Sequence, residues 1–156
     1  MNLEIYLTNV QNLCKIFNNT FNISRDTNFI LENNRIKIYT INNKKDMVIE
    51  SLLDSIIIDN IINLLDTNKQ IYSVSNYNLY NITKKLNYFG NCLFEFYDNT
   101  CSLSYNKNGK KTTFTIDSVK LNSIYSIPLT TYSCIFTVNP DDFLLLINRC
   151  SVVDND

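Results

Sequence analysis

The chain has 156 residues, 45% of them hydrophobic and 12% aromatic, a length and composition that fit one complete core with the opening of a second and argue against a disordered polypeptide. Its 14 Lys and Arg against 15 Asp and Glu give a net charge of −1, which disfavours binding nucleic acid by bulk phosphate neutralisation. With no histidine, and five cysteines that include no CxxC pair, the usual zinc sites are excluded and free thiols in a reducing compartment are expected.

The chain opens on Met1-Asn2-Leu3-Glu4-Ile5-Tyr6-Leu7, which lacks a basic n-region and is too short an apolar run for a signal peptide. No later stretch reaches transmembrane length, so an intracellular protein without a membrane partner is expected. Val10, Leu13, Cys14 and Phe17 then fall at i, i+3, i+4 and i+7 of a first helix, with Thr8 or Asn9 as its cap and Lys15 on the polar side. Period-two runs follow. In Arg35-Ile36-Lys37-Ile38-Tyr39-Thr40-Ile41 the residues Ile36, Ile38 and Thr40 share one face, while Lys37 and Tyr39 point the other way. Similar strand-like runs lie near 46–58, 61–75, 91–97, 101–106 and 111–118. Their separators, among them Glu32-Asn33-Asn34 and Asn106-Lys107-Asn108-Gly109, are hairpin chemistry.

A second helix is marked by Leu79, Ile82 and Leu86, with Lys84 and Lys85 on its polar side. A third is marked by Asn139 as cap, Pro140 at the first position and the stripe Phe143, Leu146, Ile147 and Cys150, near Arg149. Ile71 to Ser75 aligns without a gap on Ile135 to Asn139, and the helices continue the match. The plan is therefore strand, helix, three strands, used twice and begun a third time. That is an α+β domain of two β-α-β-β-β repeats with helices on one side of curved antiparallel sheet. Residues 1–118 form the domain and 119–131 a connector. Residues 132–156 give the first strand and helix of an incomplete second domain. The connector displays Leu121, Ile124, Tyr125 and Ile127, more apolar surface than a tether requires.

Order and spacing together resemble the sliding clamp called proliferating cell nuclear antigen. Ile127-Pro128, then Tyr132-Ser133-Cys134, a β-run and Asn139-Pro140-Asp141-Asp142-Phe143 are similar to that family's connector end and second-domain start. Val74-Ser75 through Ile82 and Lys84, and Val10 to Phe17, are similar to its helix entries. The resemblance implies a DNA polymerase processivity factor that encircles duplex DNA without catalysis or cofactor. Its DNA-facing helices would use Lys15, Lys84, Lys85 and Arg149. A groove for partner peptides would be built from Ile41, Leu121, Ile124, Tyr125, Ile127 and Pro128. Implied partners are the polymerase and other clamp-binding proteins, a clamp loader, and other clamp subunits or a chain complementing the second half. Implied locations are sites of replication, in the nucleus or a viral cytoplasmic factory. The alternative is a clamp-fold interaction module, or a truncated accessory protein of viral replication or transcription, that forms no ring. No catalytic or metal residue is assigned: Asp54, Asp59 and Asp66 have turn or capping roles, and Lys107, Lys110 and Lys111 form a solvated hairpin tip.

Overall fold

A computed structural model describes residues 1–124 except Asn9, Asp46, Ile56, Asp66 and 87–90, together with Asn139 and Leu144. The elements are β1 (Leu3–Leu7), α1 (Val10–Phe21), β2 (Asp26–Glu32), β3 (Arg35–Ile41), β4 (Val48–Leu53), β5 (Ile58–Asn63), β6 (Lys69–Ser75), α2 (Asn76–Leu86), β7 (Cys92–Phe96), β8 (Thr100–Lys107) and β9 (Lys110–Leu121). Two hairpins close through two-residue turns with both central residues at positive φ: Asn33 and Asn34 between β2 and β3, and Asn108 and Gly109 between β8 and β9. That backbone matches the twist of the flanking strands, and Asn and Gly adopt it at the lowest steric cost.

All pairings are antiparallel, in the order β4-β3-β2-β6-β9-β8-β7-β1-β5. The two repeats, β1-α1-β2-β3-β4 and β6-α2-β7-β8-β9, exchange their first strands: β6 pairs with β2 of the first repeat, and β1 with β7 of the second. Each half of the sheet is therefore three strands of one repeat plus one strand of the other, with β5 added outside β1 as the ninth strand. Two boundaries differ from the sequence reading. The stretch 46–75 contains three strands rather than two, because β5 is an extra strand that pairs on β1 at the sheet edge. In addition, β9 runs on to Leu121, since Ser118–Leu121 leave β8 and pair with Ile71–Val74 of β6. The third helix and most of the connector, including Tyr125, Ile127, Pro128 and Arg149, lie outside the described residues.

Both helices lie on one face of the sheet, and the main core fills the space between. Val10, Leu13, Cys14 and Phe17 from α1 and Leu79, Ile82 and Leu86 from α2 meet Phe29, Ile36, Ile38, Tyr72, Phe94 and Phe96 from the strands. Phe29 holds the centre, its ring 5.1–5.9 Å from those of Phe17, Phe94 and Phe96. Full burial of each such ring contributes about 1.5–3 kcal/mol. The helices run antiparallel: the Cys14 thiol reaches the Thr83 carbonyl at 3.5 Å, and Phe21 stacks on Tyr80.

One polar residue fixes their register. Asn76, buried at the start of α2, donates from Nδ2 to the carbonyls of Thr20 (3.3 Å) and Ser24 (2.8 Å) at the end of α1. Its Oδ1 accepts from the Thr27 hydroxyl, which lies 3.0 Å from that of Thr40. The buried amide thus ties the exit of one helix, the entry of the next and two strands into a satisfied network.

Candidate functional site

The helix layer and the opposite face of the sheet present different chemistry. On the helix side, α1 carries Lys15 and α2 carries Lys84 and Lys85, all exposed, and neither helix contains an acidic residue. The Lys84 ammonium lies 4.1 Å from the centroid of the Tyr80 ring, and that of Lys85 lies 5.5 Å from the Phe114 ring on β9. Lys85 therefore leans toward the sheet, whereas Lys84 stays on the helix surface. A cation over an exposed ring gains about 0.5–1 kcal/mol, enough to bias its position without fixing it.

On the opposite face, alternation along the strands collects a second apolar cluster. Ile30 of β2, Tyr39 of β3 and Ile71 of β6 are buried there, with Ile41, Val48, Leu121 and Ile124 packed against them. Three of the residues expected to form a groove, Ile41, Leu121 and Ile124, are thereby brought together, and the extension of β9 is what seats Leu121 beside Ile71. Sequence reasoning missed Ile30, Tyr39, Ile71 and Val48. Their signal was present: each occupies the outward phase of its strand, where a solvated face would carry polar residues. The Tyr39 hydroxyl is buried without a hydrogen-bond partner among the described residues. The patch is rimmed by the ion pairs Lys37–Glu50 (2.9 Å) and Lys69–Glu32 (3.3 Å).

A third feature is an open edge. Lys110–Asp117 of β9 pair with β8 on one side, and among the described residues no strand pairs with them on the other. Unpaired backbone groups along an exposed strand are a template for addition of a strand from another chain.

Nucleophilic and metal chemistry find no support among the described residues, which hold no group of metal-ligating side chains. Burial pushes the Cys14 thiol up to about 11 and the Cys92 thiol up to about 12, and it raises that of Cys101 as well. These are inert core thiols rather than nucleophiles. Asp54 has the expected turn role, its carbonyl accepting from the amides of Ile57 and Ile58. Lys107, Lys110 and Lys111 sit at the exposed β8–β9 tip. No described helix is long and apolar enough to cross a membrane.

No family model matches the sequence, and no curated protein matches it. Solved structures do. The chain superposes on PCNA from Thermococcus kodakaraensis with a TM-score of 0.61 at 11% identity, over 77% of this chain and 48% of that one. On the PCNA2-PCNA3 complex from Sulfolobus tokodaii the TM-score is 0.69 at 14% identity, over 83% of this chain and 51% of that one. The chain has the PCNA-like sliding-clamp fold. It spans about half the length of the clamp chains it matches. Within this fold each helix follows a strand that pairs into the half-sheet opposite to the one its own repeat completes.

Proposed function

We propose that this chain is a sliding-clamp subunit or fragment, a processivity factor that surrounds duplex DNA and tethers replication proteins to it. The observation that carries the reading is the separation of two surfaces by one sheet: helices bearing only positive charge on one side, and an apolar patch on the other. A clamp has to slide, so its DNA contacts are few, exposed and directed at phosphates, and encirclement supplies the persistence that affinity would otherwise supply. Lys15, Lys84 and Lys85 serve as those contacts, and Arg149 adds a fourth. The outer patch of Ile41, Leu121 and Ile124 takes an apolar anchor from a short peptide of the polymerase or another client, with Tyr125, Ile127 and Pro128 of the connector as further candidates for that contact. The open edge of β9 pairs with a further clamp subunit or a complementing chain, and a loader opens the ring. The chain performs no reaction and requires no cofactor.

The test is topological. The purified chain, with any second chain that accompanies it, is bound to nicked circular DNA, and the DNA is then linearised. Retention on the circle and release from the linear form are expected, with Lys15→Ala/Lys84→Ala shortening retention on the circle. Equal retention on both forms rejects encirclement. A second reading is a clamp-fold interaction module that forms no ring. A monomeric mass together with binding to client peptides and indifference to DNA would establish it.

A further inference from the structure

Where the end of α1 meets the start of α2, three rings gather on the helix side. Phe21 stacks on Tyr80 with centroids 4.3 Å apart and planes 11° apart, and Lys84 covers Tyr80 as well. That pair accounts for the packing of the helices at this level. Tyr77 is left over: its ring lies 6.5 Å from Phe21 at 37°, yet it is 64% exposed, the most exposed of the large hydrophobic side chains in the described residues. An open cavity of about 560 Å³ adjoins it, lined by Phe21, Asn22, Arg25, Asp26, Asn43 and Tyr77 among others. The Arg25 guanidinium is exposed and makes no ion pair or hydrogen bond among the described residues.

We infer that this corner is a binding site for an unpaired nucleotide of a single nucleic-acid strand, with Tyr77 as the stacking platform and Arg25 on the phosphate. A duplex offers this ring nothing, because its base faces are covered by their neighbours; an unpaired base exposes a face, and stacking on an aromatic side chain tolerates any base. The cavity lies within the roughly 300–1,000 Å³ of small-molecule clefts. Its lining is not a uniform cationic trough. Asn22, Asn43 and Asp26 offer donors and acceptors to a base edge, which suits one nucleotide held at a point rather than a strand tracked along a groove. The inference rests on the proposed function only in taking the helix side as the nucleic-acid side. It adds that a single strand is held there.

The test is fluorescence anisotropy of the full chain with a labelled single strand of mixed sequence and with the corresponding duplex, at low salt. Tighter binding of the single strand is expected. Tyr77→Ala should weaken it roughly 5- to 150-fold while leaving duplex binding unchanged. Tyr77→Phe should retain it, and Arg25→Gln should lower the slope of log affinity against log salt by about 0.7. No binding of the single strand, or equal binding by wild type and Tyr77→Ala, overturns the inference, as does a loss in Tyr77→Phe as large as in Tyr77→Ala. Circular dichroism verifies that each variant folds. The outcome is separable from the ring test: release from linear DNA without any Tyr77 effect leaves the clamp reading standing alone, and a Tyr77-dependent strand preference without topological retention leaves this site standing alone.

Discussion

Asn76→Ala removes a side chain whose hydrogen bonds join both helices to the sheet, and its cost follows from the partners left behind. The Thr20 carbonyl keeps the amides of Ile23 (3.0 Å) and Ser24 (3.2 Å), so its 3.3 Å contact with Asn76 adds little. The Ser24 carbonyl loses a 2.8 Å bond but belongs to a half-exposed residue and regains water. The Thr27 hydroxyl, fully buried, loses its acceptor and has only Thr40 to turn to. Two good bonds at about 1 kcal/mol each, plus the space left by a buried amide, give a loss of about 2–3 kcal/mol. For a chain of this size that lowers Tm by roughly 4–12 °C. Thermal and urea unfolding followed by circular dichroism measure it, with Asn78→Ala as the control, a half-exposed neighbour expected to change stability by less than about 0.5 kcal/mol. If Asn76→Ala is no worse than Asn78→Ala, the network does not set the helix register and the basic helix surface is held by apolar packing alone.

Two further expectations follow from the core and the turns. At pH 8 a maleimide should leave Cys14, Cys92 and Cys101 unmodified in the folded chain and label all three after unfolding; peptide mapping that finds any of them labelled before unfolding contradicts their burial. Because the folded thiols hold their protons to higher pH than unfolded ones, which ionise near about 8.5, the unfolded state loses protons first and stability should fall as pH rises above that value. Gly109→Ala meets open space, so its cost is conformational: at φ +75° a side chain is strained, and destabilisation of about 1–2 kcal/mol is expected in urea unfolding, with no loss of native circular dichroism.

What the sequence revealed depended on whether a segment obeyed a single period. α1 and α2 were legible because their apolar stripes pack on one body of core, although α1 extends past Phe17 to Phe21 since Phe21 finds the Tyr80 ring rather than a core position. The phase of β3 was legible too: Ile36, Ile38 and Thr40 do share the core face. The stretch 46–75 was not, because β4 and β5 are edge strands with half-exposed residues on both faces, which blurs the alternation that separates one strand from the next. The last residues of β9 read as linker for a different reason: Val119-Lys120-Leu121 alternate correctly, but their partner is β6, far away in sequence, and nothing local announces it. The patch around Ile30, Tyr39 and Ile71 was half legible. Outward apolar residues scattered over β2, β3 and β6 look incidental until the sheet order places them side by side.

The two surfaces are mechanically one object. Three of the chain's 14 basic residues and none of its 15 acidic ones sit on the two helices, which leaves eleven basic against fifteen acidic elsewhere, so an acidic chain still offers a positive helix layer. Each strand beneath that layer spends alternate residues on each side: β3 sends Thr40 into the Asn76 network and Ile41 into the outer patch, β2 sends Thr27 into that network and Ile30 into the patch, and β6 sends Val74 into the main core and Ile71 into the patch. A shift of one residue in register would turn every one of these side chains to the wrong face. The hydrogen bonds that place the helices therefore also fix the spacing of Ile30, Ile41 and Ile71 on the far side. Because β2 and β6 belong to different repeats, neither surface is complete until both repeats have folded together.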